Sequence, residues 1–510
     1  MVGTEQQKSS VVAEIGTAVR HSAVYGLGNV VAKAIGFLMV PFYTHYLAPV
    51  DYGTLEILDL SMSLLGMLLN MGMTAALLRC YSSVPTLREK NRAVSTAFLF
   101  VTVTGLLTFM AGTALARPAT GMLLGPGVPS TYLLMSFSSF VLGYIANLPR
   151  TYLRAIEASG AFVMVDTAAL ILMLGLNIYF IAVLKIGLVG ILLSSLISAS
   201  LQVILLSFWT FKKAGFGFSG RLLRQMMGFG LPLIFSNLAL FTLNFADRFF
   251  LKHFQSLDAV GIYAVGYKFA FMLNYLIVQP FFVMWQGRMY EIHKRPDHAA
   301  VFSQIFMLYS ILLMYAGLAL SVFSPEVVGL MVGRSFSGGV EIIPVVTLAY
   351  VFCGIGYFAQ LGMFLTNRTK IIGGLSAGAA VLNLGLNYFL ILHGGMLGAA
   401  WATLLSFAAI AGASYWCSQR LLPLPLAAGR ASVALVLAIG LYLVSRWWVP
   451  GSLVLTVLMK IGMLVAYPIL LWKGRVFSPS EIETLSFVKE SAASALGRLF
   501  GSARGRAASV

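Results

Sequence analysis

Residues 161–184 read AFVMVDTAALILMLGLNIYFIAVL, with Asp166 as their one charge. As a helix rising 1.5 Å per residue, such a stretch crosses a hydrocarbon core of about 30 Å. Apolar stretches of this kind recur from Ser22 to Leu471 with short breaks. Across the 510 residues, 59% are hydrophobic and 10% charged. A soluble domain keeps roughly 25% charged residues to cover its surface. A chain this poor in charge presents apolar surface to lipid. No short alternating segments of the transmembrane β-strand type are evident.

The same stretch carries Leu174-Gly175-Leu176-Asn177, which recurs as Leu384-Gly385-Leu386-Asn387. Three further landmarks follow in register: Gly26-Leu27 with Gly230-Leu231, Tyr179-Phe180 with Tyr388-Phe389, and Gly190 with Gly398. An ordered series at nearly constant offset argues for two related halves. Spans are expected near 22–46, 55–78, 93–116, 131–149, 161–184, 187–210, 227–250, 259–285, 300–323, 342–365, 371–392, 396–418, 431–448 and 452–471. The fold class is therefore all-α and polytopic, with about fourteen transmembrane helices. Six form an N-lobe over 22–210, six a C-lobe over 227–418, and two are appended over 431–471. Six is even, so the halves enter the membrane from the same side and are parallel repeats.

The basic residues test that count. The formal charge is +17, from 34 Lys+Arg against 17 Asp+Glu. With the N-terminus inside, Arg117, Lys185, Arg248, Lys252, Arg334 and Arg446 fall at outer ends, and Lys33, Lys268 and Lys460 within spans. The remaining 25 fall on the cytoplasmic side. A bias of roughly four to one through every alternation fits positive-inside topology, and no nucleic-acid partner is expected. Residues 1–21 and the linker 211–226 are then cytoplasmic, as is the C-terminus. The apolar run from Ala23 is too long for a cleavable signal peptide. Ser478-Pro479-Ser480-Glu481 is a capping box, so an amphipathic helix is expected over 478–500 against the cytoplasmic leaflet, before a disordered tail over 501–510.

Polar stripes mark the spans that line a cavity. Asn29 and Lys33 share a face of the first span, and Asp59, Ser63, Asn70 and Thr74 a face of the second. The seventh carries Asn237, Asn244 and Arg248 with Asp247 beside them; the eighth carries Lys268, Tyr275 and Gln279. An ionisable group at mid-membrane costs about 3 kcal/mol or more, so it should face a wet interior. Lys33, Lys268 and Arg248 suit an anionic group such as a pyrophosphate. Asp59 and Asp247 can neutralise those cations or carry a coupling ion, although Asp59 can equally hold helices together by pairing with Lys33. Asp247 and Arg248 can instead reach toward headgroups. Asp166 reads as a structural hydrogen-bonding group.

No phosphate-cradling Gly-rich loop and no His-Glu-x-x-His occurs. The six histidines and the cysteines Cys80, Cys353 and Cys417 have no ligand spacing, so no metal or cofactor is expected. Loops are short, which favours a carrier over an enzyme. A membrane glycan polymerase or ligase stays open as an alternative.

Several stretches resemble one family. They are Gly26 through Lys33, Phe42-Tyr43-Thr44-His45-Tyr46-Leu47-Ala48-Pro49, Asp51-Tyr52-Gly53, Asp247-Arg248-Phe249-Phe250-Leu251 and Val260-Gly261-Ile262-Tyr263-Ala264. They resemble the bacterial polysaccharide transporter family, the O-antigen and exopolysaccharide-unit flippases. Multidrug extruders and lipid II flippases share its superfamily. The resemblance implies alternating access and an ion gradient. It also implies an undecaprenyl-pyrophosphate-linked oligosaccharide moved from the cytoplasmic to the periplasmic leaflet of the inner membrane. The expected partners are that lipid-linked substrate, membrane lipids and polysaccharide polymerase or assembly proteins. A drug/cation antiporter remains the alternative within the superfamily.

Overall fold

The computed structural model describes residues 36–448, 451–479 and 481; at 159 and 229–236 it describes backbone alone. The described residues are helical throughout, with no strand among them. Lys33, Asn29, the N-terminal segment and nearly all of 478–510 lie outside the described residues.

Helix α1 covers 36–46 and is followed by α2 Pro49–Asn70, α3 Met73–Ser83, α4 Leu87–Ala114 and the short α5 Ala116–Leu123. Next come α6 Ser130–Ala155, α7 Ser159–Ile178, α8 Leu188–Ala214, α9 Gly220–Phe254 and α10 Leu257–Leu273. The rest are α11 Gln279–His293, α12 His298–Met331, α13 Ile343–Ala359, α14 Leu361–Leu365, α15 Thr369–Leu421, α16 Ala428–Trp447 and α17 Leu453–Lys473. Every expected span overlaps one of these helices. Among the described residues, 11 helices are long and apolar enough to cross a membrane. One of them, α15, holds two expected spans: Gly395 breaks it with φ 53° and ψ −131°, a conformation that glycine adopts without a Cβ penalty. The first and seventh expected spans correspond to α1 and to the 35-residue α9. Large apolar side chains stand outward in rows, such as Leu106, Leu107 and Met110 on α4 and Val433 and Val436 on α16. In water such surface would drive association; in lipid it is the solvated face. This is a multi-pass membrane protein.

The chain divides into two compact units. The first gathers residues 1–268, 328–339 and 376–402; the second gathers 269–327, 340–375 and 403–510. In the first unit α4, α6 and α8 pack on one another, and α2 and α3 lie against α6 and α9. Ala146, Leu153 and Leu206 sit at the heart of that packing, with Phe162, Val203 and Trp209 around them. In the second unit α16 pairs with α17, and the Tyr467 hydroxyl donates to the Ala434 carbonyl at 3.1 Å.

Two charged contacts anchor the second unit. Lys460 of α17 donates to both carboxylate oxygens of Glu326 on α12, at 2.6 and 2.8 Å. Arg430 of α16 forks onto Glu481 at 2.9 and 3.0 Å. Glu481 also accepts from the Ser478 amide at 2.7 Å, and the Glu481 amide donates to the Ser478 hydroxyl at 3.4 Å. That is the reciprocal pattern of a capping box, as its residues predict. The helix expected beyond it lies outside the described residues.

Candidate functional site

The residues of the candidate site described here are held in the first unit by a helix crossing that only glycine permits. A methyl group on Gly53 of α2 would run into the Leu257 carbonyl, and one on Gly261 of α10 into the Pro49 carbonyl. The two helices therefore touch backbone to backbone. These glycines belong to the Asp51-Tyr52-Gly53 and Val260-Gly261-Ile262 stretches. Lys268 lies two turns beyond Gly261 on α10, and Tyr52 and Glu56 flank Gly53 on α2.

At that crossing the Lys268 ammonium donates to Glu56 Oε2 at 3.0 Å and to the Tyr52 hydroxyl at 3.0 Å. It also stands 4.8 Å from the Tyr52 ring centroid, a cation–π distance. Glu56 and Tyr52 are buried. The Lys268 side chain is 41% exposed. The ammonium thus has two protein partners while part of the side chain is accessible. Asp59, one turn past Glu56, is exposed and lies within electrostatic reach of both Glu56 and Lys268. Tyr43 on α1 joins the same field, and its hydroxyl accepts from Asn177 Nδ2 at 2.8 Å. Asn177 is the asparagine of the repeated Leu-Gly-Leu-Asn landmark. Its counterpart, Asn387, donates to Asn383 Oδ1 at 2.8 Å.

Arg248 and Asp247 are enclosed by protein: their side chains are 1% and 3% exposed. Arg248 Nη1 donates to Asp247 Oδ1 and to the Asn244 carbonyl, each at 2.6 Å. Its guanidinium carbon lies 3.8 Å from the Tyr267 ring centroid and 5.1 Å from that of Tyr263. The Tyr263 hydroxyl donates to Asp247 Oδ2 at 2.6 Å. A charge taken out of water needs this density of partners. Glu56 feels both cations, so the buried Arg248 supports the carboxylate that holds Lys268.

Asn237 is exposed, and Asn244 is half-buried with its amide donating to the Leu240 carbonyl at 2.8 Å. Tyr275 and Gln279 belong to the second unit. Tyr275 lies within the π-helical turn Asn274–Val278, exposed and packed edge-on against Phe271, and Gln279 follows that turn as the first residue of α11. Asp166 pairs with Arg150 at 3.1 Å, in keeping with a structural role. Among the described residues no group of His, Cys, Asp or Glu is arranged to hold a metal ion.

A family model described as polysaccharide biosynthesis protein matches residues 18–284. The chain belongs to that family. The match takes in both glycine stretches of the α2–α10 crossing together with Glu56 and Lys268. The Lsg locus putative protein 1 of Haemophilus influenzae is 24% identical over 264 residues, 51% of this chain and 62% of that protein. The chain thus matches about three fifths of that relative's length. Among solved structures, the inward closed lipid II flippase MurJ superposes with a TM-score of 0.69 at 10% identity, over 90% of this chain and all of that one. An inward-facing MATE-family multidrug transporter gives 0.59 at 15% identity, covering 75% and 93%. An outward-facing one gives 0.56 at 14%, covering 79% and 94%. At these identities the likeness is one of fold. Family membership and fold together agree with the resemblance read from the sequence.

Proposed function

We propose that this protein is a flippase that carries an undecaprenyl-pyrophosphate-linked oligosaccharide from the cytoplasmic to the periplasmic leaflet of the inner membrane. The observation that carries the reading is the Lys268 ammonium inside a span, held by Glu56 and Tyr52 on a side chain that is 41% exposed. A diphosphate can compete with Glu56 for that cation. Membership of the polysaccharide biosynthesis protein family supports a glycan-assembly cargo. The fold shared with a lipid II flippase supports a lipid-linked one. We read the cycle as alternating access coupled to an ion gradient, with Asp59, exposed beside Glu56, as the coupling carboxylate. Lys33, Asn29, Asn237, Asn244, Tyr275 and Gln279 are proposed as further lining groups, both termini as cytoplasmic, and polysaccharide polymerase or assembly proteins as partners. On this reading the protein is a carrier rather than an enzyme.

The exposed Asp59 also favours a second reading, export of an organic cation, which a carboxylate would attract. Reconstitution separates the two. Proteoliposomes should move a polyprenyl-pyrophosphate oligosaccharide to the opposite leaflet, measured by accessibility of its sugar to an impermeant lectin. No flipping, together with gradient-driven export of cationic dyes, would replace the flippase reading with the antiporter one.

A further inference from the structure

A second surface of the first unit has the chemistry of a lipid site. An apolar groove of about 360 Å³ opens between α2, α5 and α6, lined by Leu64, Leu65, Leu68, Leu134, Phe137 and Phe249. Leu68 is nine residues from Asp59, half a turn out of phase on α2, so the groove faces away from the Glu56–Asp59 polar face. Whatever fills it does not enter from the charged cluster. Near one end of the groove lies a cation. Lys252, one turn past the groove residue Phe249 on α9, donates from Nζ to the Met122 carbonyl of α5 at 2.9 Å, beside the lining residue Leu123. The exposed Arg117 of α5 lies two residues from both Leu115 and Ala119, which line the groove, and so on the far face of that helix. Arg117 and Lys252 are two of the few basic residues that fall on the outer side of the proposed topology, where the positive-inside bias does not account for them.

We propose that this groove holds one acyl chain of an anionic bilayer phospholipid, with its phosphate against Lys252. An apolar slot beside a cation is complementary to an acyl chain attached to a phosphate. Lys252 is already oriented by the Met122 carbonyl and loses little freedom on meeting the phosphate. On the proposed topology the bound lipid sits in the outer leaflet.

The test uses the full chain in phosphatidylcholine vesicles doped with phosphatidylglycerol. None of the chain's seven tryptophans lines the groove, so a Phe249→Trp variant reports on it against the parent as background. Brominated-acyl phosphatidylglycerol should quench that reporter at lower mole fraction than brominated phosphatidylcholine. Adding Lys252→Gln should raise the mole fraction needed by about fivefold, while Arg117→Gln, on the far face of α5, should change it little. Ala119→Phe, which fills the groove, should remove the quenching. Native mass spectrometry on the chain without the reporter provides the second readout: Lys252→Gln should retain one phosphatidylglycerol fewer. Equal quenching by both lipids, a preference that survives loss of Lys252, or quenching by a brominated polyprenyl phosphate but not by phosphatidylglycerol would each overturn the proposal.

Discussion

Glu56 of α2 and Lys268 of α10 meet at 3.0 Å, and the pair is asymmetric: the glutamate is buried while the lysine side chain is partly exposed. On the proposed function the carboxylate is an internal stand-in for a cargo anion. Glu56→Gln should leave the fold intact and raise affinity for a lipid pyrophosphate by roughly fivefold, because a partly exposed pair contributes ~1 kcal/mol. Turnover should fall, since release loses its competitor. Lys268→Met should abolish translocation. Nanodisc binding and proteoliposome flipping measure the two effects separately. Unchanged binding in Glu56→Gln would remove the competition from the mechanism.

The crossing that creates this pair depends on two missing methyl groups. Gly261→Ala should drive the α10 backbone away from the Pro49 carbonyl and cost about 1–3 kcal/mol, with transport reduced. Gly143→Ala on α6 is the control. Nothing lies within 4 Å of its added carbon, so it should be neutral or stabilising by up to ~1 kcal/mol through helix propensity. Thermal unfolding in detergent ranks the two, and equal melting points would show that the crossing tolerates a methyl group.

The fold class was legible because apolar stretches of spanning length and the scarcity of charge mark the helices directly. In the sequence Lys268 reads as a deep cation of the eighth span, and the structure sets it against Glu56 and Tyr52. Its partner was harder to see. A span drawn from 55 puts Glu56 at the membrane edge, whereas α2 starts at Pro49 and carries Glu56 two turns inside. The available signal was its one-turn spacing from Asp59. The surroundings of Arg248 were hidden for a different reason: spacing along one helix cannot show that Tyr263 and Tyr267 from α10 lie against the guanidinium. Partners from distant segments, such as Glu326 for Lys460, leave no local trace.

The enclosure of Arg248 makes it a positioning group, with a distinct signature. Arg248→Met leaves Asp247 buried without its counter-charge and should cost about 3–5 kcal/mol. Adding Asp247→Asn should recover most of that loss. Arg248→Lys should remain destabilised, because an ammonium on a shorter stem does not reproduce the flat guanidinium 3.8 Å from the Tyr267 ring. Melting temperatures of the three variants measure this. Were Arg248 instead a cargo cation, Arg248→Met would melt like the parent, lose flipping, and gain nothing from Asp247→Asn.

The Lys460–Glu326 contact in the second unit poses the same choice where the cost of error is highest. Lys460 is 7% exposed and Glu326 18%, within spans where water is scarce. Losing either partner alone strands a charge, and Glu326→Gln should cost roughly 3–5 kcal/mol. Replacing both, Lys460→Met with Glu326→Leu, removes two desolvation penalties along with one attraction and should melt near the parent or above it. Flipping by that double variant decides what the pair is for. Retained flipping makes it a fastener between α17 and α12. A well-folded double variant that has lost flipping makes it a part of the transport cycle that needs its charges.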